Sequence, residues 1–480
     1  MNFSFFKTSK FLLLLPMIGV VLVTTSTLFP FIVGKYVWFR SLVFLALIFF
    51  LIGLLFEDHV EVMWKRLIEI FRRPLTIAVS IFVLIFLLAG FFGIDPLNSF
   101  WSNFERGEGG LQMLCFYIYF VLLVTLFKEE KDWFRLFQWG IAGGLLMSLY
   151  GLLAASGVNN FIGAQFGPGF RFQGSIGNPA YVATYAIFLM FYVAYLFIKK
   201  YSAKIKSAGG IFMGVLFLIF LVVFFAAATR GGFVGLAISL IGFLGYVGFT
   251  SKKWRKKFII ATVVLIVLFG GIIGVSNSPL AKDLPGSRLF DLSVRAQTFE
   301  HRTIMWKIAW DGFKERPLLG WGPENYLQIF DTNFNTKYFV PGQQFGAWFD
   351  RAHSIYFDYL AETGILGFLS YFGIFITFFV LIFKKSGLFK NKIGNSKFEI
   401  GNSPSQKDLV KEKKQEVRDG SFVMEDALLF ALPLSYLVQG LVLFDVSIIY
   451  LNLFVFFALA TYRLTDVKSQ ISNLKSTVKK

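Results

Sequence analysis

Two arginines and one histidine lie where they could hold an anionic substrate and activate a hydroxyl group. Arg230 lies in a Thr-Arg-Gly-Gly turn between two apolar segments, Arg302 opens the run His-Arg-Thr-Ile-Met-Trp, and His353 opens the run His-Ser-Ile-Tyr. Guanidinium groups bind phosphate oxygens through paired hydrogen bonds. A histidine with a pKa of about 6.5 can accept a proton from a hydroxyl at neutral pH. These residue types therefore favour chemistry on a phosphorylated substrate.

Each of these residues also has a plainer structural interpretation. Arg230 could reach the lipid headgroups while the two glycines permit a tight hairpin. A single histidine such as His353 is more often structural than catalytic. Tryptophans at a membrane surface are typical anchors, so Trp306, Trp310 and Trp321 predict packing rather than chemistry.

Further candidates lie in polar segments on the same side of the predicted membrane protein. Arg106 follows an Asp-Pro-Leu-Asn-Ser segment, and Arg171 and Asn178 flank a Gly-Ser-Ile-Gly run, in what we expect to be ordered interfacial loops. Asp445 lies in the outer turn of the last helical hairpin, where an exposed turn residue is the plain interpretation.

Several kinds of chemistry lack their sequence signatures. The chain has no HExxH, CxxC or Asp-x-Asp motif, and its three histidines are far apart in sequence, so we expect no metal site. It has no Walker loop, so we expect no nucleotide and no cofactor. With Cys115 as the only cysteine, no intrachain disulfide can form.

Composition and hydropathy identify an integral membrane protein. Hydrophobic residues make up 56% of the chain, charged residues make up 16%, and the mean hydropathy is +0.65. Apolar runs of about 17–25 residues can each cross a bilayer as a helix. We predict an all-α, polytopic fold with about twelve transmembrane helices. The predicted spans are 11–33, 37–56, 75–93, 111–127, 136–155, 179–198, 209–228, 232–250, 258–275, 363–383, 424–444 and 447–463.

The distribution of lysine and arginine predicts which side each loop occupies. Counted over alternate loops and termini, one side carries 33 of these residues, while the short loops of the other side carry four. Both termini are therefore predicted to be cytoplasmic in the cytoplasmic (inner) membrane. The net charge of +18 is then explained by topology and anionic lipid, and we expect no nucleic-acid partner.

This topology divides the chain into regions with different expected roles. Residues 1–275 hold helices one to nine, and 276–362 form a large extracytoplasmic loop that we expect to be the catalytic part. Residues 363–463 hold helices ten to twelve with a cytoplasmic linker at 384–423, and 464–480 form a cytoplasmic tail. The large loop carries ten acidic and nine basic residues, in contrast to the apolar chain around it.

Two helices are expected within the large loop. Residues 301–313 have helical periodicity and place Arg302 at the start of an apolar stripe, with Pro317 ending the helix and Gly320–Pro323 forming a turn. Residues from Arg351 onward, if helical, place His353 and Tyr356 on one face and lead straight into the tenth membrane helix.

The chain resembles the O-antigen ligase and O-antigen polymerase superfamily. The resemblance depends on the order of several short motifs between about residues 90 and 370. These are Arg106-Gly107, Gly174–Pro179, Thr229–Gly232, Arg302-x-x-x-Trp306, Pro317–Pro323, and His353-Ser-x-Tyr356 continuing into Ala361–Gly367. Serine commonly precedes the turn arginine in the family, whereas this chain has Thr229.

The resemblance implies a membrane glycosyltransferase that works without a metal. Its donor would be a glycan on a polyprenyl diphosphate, and its acceptor a hydroxyl of a glycan, lipid or protein. It implies that Arg230 and Arg302 bind the diphosphate and that His353 serves the acceptor. Arg295 competes with Arg302 for this role, and the spacing to Trp306 favours Arg302. Arg106, Arg171, Asn178 and Tyr356 are expected to contact substrate.

Other functions remain open at this stage. A transporter of a small anion would have similar topology, but it should carry broken helices and polar residues at the middle of the membrane. A receptor or scaffold explains the loop but not the paired arginines and the histidine. The sequence does not separate a ligase from a polymerase.

Overall fold

The computed structural model describes residues 4–58, 60–251, 253–275, 297–334, 349–386 and 406–465, and these form an all-helical protein. The α-helices are α1 Phe5–Leu12, α2 Val33–Phe56, α3 Val60–Ile70, α4 Pro74–Phe91, α5 Pro96–Trp101, α6 Gly110–Leu126, α7 Glu130–Ala155, α8 Pro179–Lys200, α9 Ala208–Ala226, α10 Arg230–Thr250, α11 Arg255–Val275, α12 Gln297–Glu315, α13 Tyr326–Thr332, α14 Ile355–Ser386, α15 Gln406–Gly440 and α16 Ser447–Thr465.

The predicted polytopic membrane architecture is confirmed. Within the described residues, 8 helices are long and apolar enough to cross a membrane, namely α2, α4, α7, α8, α9, α10, α14 and α16. The shorter helix α6 is also apolar. Every predicted span after the first coincides with a helix of the structure. The buried apolar side chains of these helices form one large core.

The first predicted span, 11–33, is wrong as a continuous helix. Helix α1 ends at Leu12, a 3-10 helix covers Leu15–Val21, and the chain is not helical again until α2. Pro16 lies in the first turn of the 3-10 helix, and its ring and missing N–H disfavour a continuing α-helix.

The broken first segment nevertheless runs antiparallel along α2. The Ser9 hydroxyl donates to the Ala46 carbonyl over 2.7 Å, and the Trp38 indole donates to the Leu15 carbonyl over 3.2 Å. Further along, the Lys35 ammonium donates to the Leu22 carbonyl over 2.6 Å. The segment therefore passes from one end of α2 to the other.

Glycines in α10 allow it to approach α15 closely. A Cβ added at Gly231 would lie 2.8 Å from the Val442 side chain, and one at Gly235 would lie 2.8 Å from the Ser435 carbonyl oxygen. Both contacts are too short for a side chain. The glycines that follow Arg230 therefore serve helix packing, and they fix the first turn of α10 beside the end of α15.

Helix α14 is interrupted near its start, which differs from the prediction that it runs straight into the membrane. Gly364 has φ +63° and ψ −168°, which breaks the helical hydrogen bonding. The carbonyl of Ala361 accepts instead from the Trp321 N–H over 3.1 Å, and that of Glu362 from the Gly322 N–H over 2.8 Å. The expected Gly320–Pro323 turn is thus built into the kink and ties α12 to α14.

Buried ion pairs connect the helices at the opposite end of the bundle. The Lys199 ammonium lies 2.6 Å from the Glu130 carboxylate and 2.8 Å from that of Glu425. Arg463 also pairs with Glu425, and Lys10 lies 2.5 Å from Asp132. These contacts join α1, α7, α8, α15 and α16 on the side predicted to be cytoplasmic.

Candidate active site

A cavity opens where α2, α6, α8 and α16 begin, beside the segment that precedes α14. It encloses about 1040 Å³ of empty space including its open mouth. It is lined by Phe29, Pro30, Phe31, Ile32, Lys35, Arg106, Glu108, Ile176, Gly177, Asn178, Tyr181, His353, Phe444, Val446, Ser447 and Ile448. We call this space the His353 cavity. Its walls combine aromatic side chains with a few charged groups, as ligand sites commonly do.

His353 lies just outside α14, which corrects the expectation that it belongs to that helix. Its φ is +57°, a left-handed conformation that costs about 1–3 kcal/mol at a non-glycine residue. The helix begins two residues later, at Ile355. The imidazole packs edge-on against Phe349 and Phe444 at 5.4 and 5.1 Å between ring centres. The backbone and the ring contacts together fix the direction of this side chain.

The surroundings of His353 keep it neutral. Burial lowers the pKa of the imidazole, and the positive charges of Arg302 and Arg106 act in the same direction. The Arg351 carbonyl and the Asp350 carboxylate oppose this shift. Within the described residues, Nε2 has no hydrogen-bond partner. His353 is therefore suited to accept a proton at neutral pH.

The structure places Arg302 close enough to Arg230 and to His353 for their charges to interact. Arg302 lies in the second turn of α12 and is partly buried, and Arg230 is the first residue of α10. Burial lowers the pKa of Arg302, and the charge of Arg230 lowers it further. Among the described residues, Arg302 has no hydrogen bond or ion pair. Two guanidinium groups whose like charges interact favour an anion between them.

Arg171 and Asn178 hold elements of the site in place. The Arg171 guanidinium donates to the Ala227 carbonyl over 3.3 Å and to the Thr229 hydroxyl over 3.1 Å. It therefore braces the turn that leads into Arg230. Asn178 caps α8 by accepting from the Ala180 N–H over 2.9 Å, and it also lines the His353 cavity.

Tyr356 lies away from the His353 cavity, in a second, more apolar groove between α12 and α14. Its hydroxyl donates to the Leu437 carbonyl over 3.2 Å, and its ring stacks on Phe372 at 4.7 Å between centres. The groove has about 960 Å³ of empty space and is lined by Thr303, Trp306, Lys307, Trp310, Tyr356, Phe357, Leu360 and Phe368. Arg295, the alternative loop arginine, lies outside the described residues.

The tryptophans of α12 and the following turn pack, as expected. Trp306 stacks on Phe357 with ring centres 5.4 Å apart, and the Trp321 indole donates to the Gly312 carbonyl over 2.8 Å. Trp321 belongs to a small separate core beneath α12. These contacts hold α12, and with it Arg302, against the start of α14.

Arg106 forms a two-pronged ion pair with Asp350. The Arg106 Nε lies 2.8 Å from one carboxylate oxygen, and its NH2 lies 3.1 Å from the other. The guanidinium also lies over the rings of Phe29 and Phe444, at 5.7 and 5.5 Å. Asp350, which sequence reasoning did not single out, thus fixes Arg106 in the cavity wall.

Arg351 is a second residue that sequence reasoning missed. It is buried, and its guanidinium pairs with Glu324, with Glu362 at 3.3 Å and with Glu108 at 3.8 Å. Burial raises the pKa of Glu108 to about 7, against the opposing charge of Arg351. These partners come from three separate parts of the chain, so Arg351 joins them two residues before His353. Acidic residues spaced four apart in an apolar helix, Asp358 and Glu362, were the available sequence signal.

A second, small cavity is lined by Arg351 together with Asp358 and Asp445. Asp358 accepts from the Ala352 N–H over 2.6 Å, while its other oxygen is buried without a hydrogen-bond partner among the described residues. The exposed-turn interpretation of Asp445 is wrong. Asp445 is buried and accepts from the hydroxyls of Tyr436 at 2.5 Å and Tyr371 at 3.2 Å. Within the described residues, no group of three or more His, Cys, Asp or Glu side chains is arranged to hold a metal ion.

Comparison with known proteins matches one part of the chain. Residues 215–372 match the family model described as O-antigen ligase. This region contains Arg230, Arg302, Arg351 and His353. The other walls of the His353 cavity lie outside it, in residues 29–35, 106–108, 176–181 and 444–448. No curated protein matches the chain.

Proposed function

We propose that this chain, which its 215–372 region identifies as a member of the O-antigen ligase superfamily, transfers a glycan from a polyprenyl diphosphate to a hydroxyl acceptor. The observation that carries the proposal is that Arg302 lies close enough to Arg230 and to His353 for their charges to interact. It brings two anion-binding groups and a neutral base to one place. The diphosphate leaving group needs the two positive groups, and the hydroxyl nucleophile needs the base.

The proposed reaction needs few protein groups. The acceptor oxygen attacks the anomeric carbon of the donor sugar as the bond from that carbon to the diphosphate oxygen breaks. The hydroxyl proton passes to Nε2 of His353, and the electron pair leaves on the diphosphate between Arg230 and Arg302. Attack opposite the leaving group inverts the anomeric configuration. The donor supplies its own leaving group, so the reaction needs no nucleotide, and we propose that the arginines stabilise its charge without a metal.

Typical magnitudes are compatible with these roles. A positioned base contributes about 10² to 10⁴ in rate. A single preorganised donor to a developing anion contributes roughly 3–4 kcal/mol to transition-state stabilisation. Guanidinium groups match phosphate better than ammonium groups because they donate paired hydrogen bonds in a fixed plane.

The apolar groove beside Trp306 suits the lipid part of the donor. It lies between α12 and α14 and adjoins the helical turn that carries Arg302, with aromatic and aliphatic walls. A polyprenyl chain in this groove would leave its diphosphate at the arginines. In this arrangement the site faces outward from the cytoplasmic membrane, with both termini in the cytoplasm, as the positive charges of the loops predict.

Two substitutions test the catalytic roles. We expect Arg302→Lys and His353→Ala each to lower glycan transfer about 100-fold or more, in membranes that contain the natural donor and acceptor. Arg316→Lys, at an exposed arginine just after α12, is the matched control and should retain transfer. Insertion and folding are checked by expression level and by size-exclusion chromatography in detergent. Wild-type transfer by both folded variants would overturn the proposal.

Two further measurements separate the alternatives. An anion transporter should show uptake into vesicles that is lost with Arg302→Lys, in the absence of any glycan product. Mass analysis of surface glycans in a deletion strain distinguishes the two reactions within the family. Shortened glycans indicate a polymerase, and full-length lipid-linked glycans that stay unattached indicate a ligase.

A further inference from the structure

We infer that the His353 cavity binds the sugar of the acceptor, and that its wall formed by Phe29, Arg106 and Phe444 selects that sugar. The inference depends on the proposed function, since it assigns a place to the second substrate of that reaction. It separates the two substrates in space, with the donor in the groove beside Trp306 and the acceptor in the cavity beside His353.

The positions of the catalytic groups support this division. His353 lines the cavity, whereas neither Arg230 nor Arg302 is among the described residues that line it. The groove contains Thr303 and Trp306, which lie in the same helical turn as Arg302. A donor held by the arginines therefore leaves the His353 cavity free. A hydroxyl that enters from this cavity meets Nε2 of His353.

The walls of the cavity match the surface of a sugar. A sugar ring presents C–H groups that pack on aromatic faces and hydroxyl groups that need hydrogen bonds. Phe29 and Phe444 flank Arg106, whose guanidinium is fixed by Asp350. Fixed polar groups between aromatic side chains give such a site its orientation and specificity.

The cavity differs from the groove in its chemistry. The groove has an almost entirely apolar lining, which suits a hydrocarbon chain. The cavity contains the ionisable groups Arg106, Glu108 and His353, which would be costly to bury against a lipid tail. The space inside it that is open to water-sized molecules, about 360 Å³, lies within the range of small-ligand pockets, about 300–1,000 Å³.

Phe29 is the position at which this inference is tested. It lines the cavity and is 38% exposed, so its removal costs little folding energy. Its neighbour Leu28 is 76% exposed and does not line the cavity, which makes Leu28→Ala the matched control. Phe29→Tyr keeps the aromatic face and serves as the rescue variant.

The experiment measures each substrate separately in full-length protein. Glycan transfer is followed in membranes from a deletion strain, which supply donor and acceptor, with each variant added back. Binding to the donor headgroup is measured with polyprenyl diphosphate as the probe, by the thermal shift of the purified protein. We expect Phe29→Ala to lower transfer about tenfold while polyprenyl diphosphate binding is unchanged. Leu28→Ala and Phe29→Tyr should retain both properties.

The outcomes separate this inference from the proposed function. If Phe29→Ala retains full transfer, the acceptor assignment is overturned. It is also overturned if Phe29→Ala loses polyprenyl diphosphate binding together with transfer. Both conclusions hold even if Arg302→Lys is inactive. Full transfer by Arg302→Lys and His353→Ala overturns the proposed function itself. A loss of transfer by Phe29→Ala that Phe29→Tyr restores, with binding of the probe intact, supports the acceptor cavity.

Discussion

The backbone carbonyl of Arg351 lies 3.1 Å from Nδ1 of His353. A carbonyl only accepts hydrogen bonds, so this contact places the proton of the neutral imidazole on Nδ1 and leaves Nε2 as the base. The Arg351 side chain is anchored by Glu324, Glu362 and Glu108. The same residue thus fixes the peptide that orients His353.

Diethylpyrocarbonate should react with His353 down to a lower pH than with an ordinary histidine. The reagent attacks the neutral imidazole, and burial together with the charges of Arg302 and Arg106 lowers the pKa of His353. We expect half-maximal reactivity below pH 6.5, measured by mass spectrometry of the peptide that contains His353. Arg302→Gln removes one of these charges and should raise the midpoint.

The denatured chain provides the reference, because its histidine reactivity should be half-maximal at pH about 6.5. A native midpoint at or above that of the denatured chain would contradict the prediction. The lowered pKa also has a consequence for stability. The native state binds fewer protons than the unfolded state, so this contribution is present above the unfolded pKa and is lost as the pH falls through the lowered native value.

Replacement of Arg351 should destabilise the protein strongly. Arg351→Met leaves Glu108, Glu324 and Glu362 without their shared cation, and the loss of one partner from a buried ion pair costs about 3–5 kcal/mol. We expect a large fall in the unfolding temperature in detergent. Lys314→Met is the control, because Lys314 is exposed and, within the described part of the chain, pairs only with Asp311. Equal melting of the two variants would show that the cluster contributes nothing to folding.

Asp445→Asn should stabilise the protein at alkaline pH. Burial raises the pKa of Asp445 to about 7, whereas an unfolded aspartate has a pKa of about 3.9. The native state then holds a proton that the unfolded state has lost, so this contribution is present at low pH and disappears as the pH rises through 7. Asparagine accepts the same tyrosine hydrogen bonds without a charge.

The measurement for Asp445 compares unfolding temperatures at two pH values. We expect Asp445→Asn to melt about 2 °C or more above wild type at pH about 8.5, with a clearly smaller difference at pH about 5. The exposed Asp331 provides the control, since Asp331→Asn should change neither value. A variant that melts below wild type at the higher pH would show that the carboxylate is ionised in the native protein.

Gly312→Ala should loosen the junction between α12 and the turn that follows it. A Cβ at this position would lie 2.3 Å from the Ile329 side chain, and the Gly312 carbonyl accepts the Trp321 hydrogen bond. We expect a destabilisation of about 1–3 kcal/mol from overpacking, measured by thermal unfolding. Gly245→Ala in α10 meets no atom within 4 Å and should stabilise by about 0.5–1 kcal/mol. The opposite order of stability would refute the packing argument.

Hydropathy predicts the helices of this protein because a segment that crosses lipid must satisfy its own backbone hydrogen bonds. A run of apolar residues without a helix breaker, such as 37–56, satisfies its backbone only as a helix. The first predicted span is not a continuous helix, because Pro16 interrupts it. Contacts with α2, such as the Trp38 indole with the Leu15 carbonyl, satisfy backbone groups that the break leaves free. The local sequence does not show that α2 will supply these contacts, so the break could not be predicted from it.

The site was predictable only in part. The resemblance singled out Arg230, Arg302 and His353, and the structure brings their charges together. Neither local pattern nor resemblance indicated that Arg351 is buried or that His353 adopts a left-handed backbone conformation. Both features depend on contacts between residues far apart in sequence, such as Arg351 with Glu108.

The His353 cavity is assembled from both extremes of the polypeptide. Phe29 comes from the segment before α2, and Phe444 from the turn before α16. During synthesis Arg230, Arg302 and His353 are therefore made before the second wall of the cavity exists. Under the proposed function, a ribosome-bound or truncated chain that ends before Phe444 should hold a donor without a complete site for the acceptor.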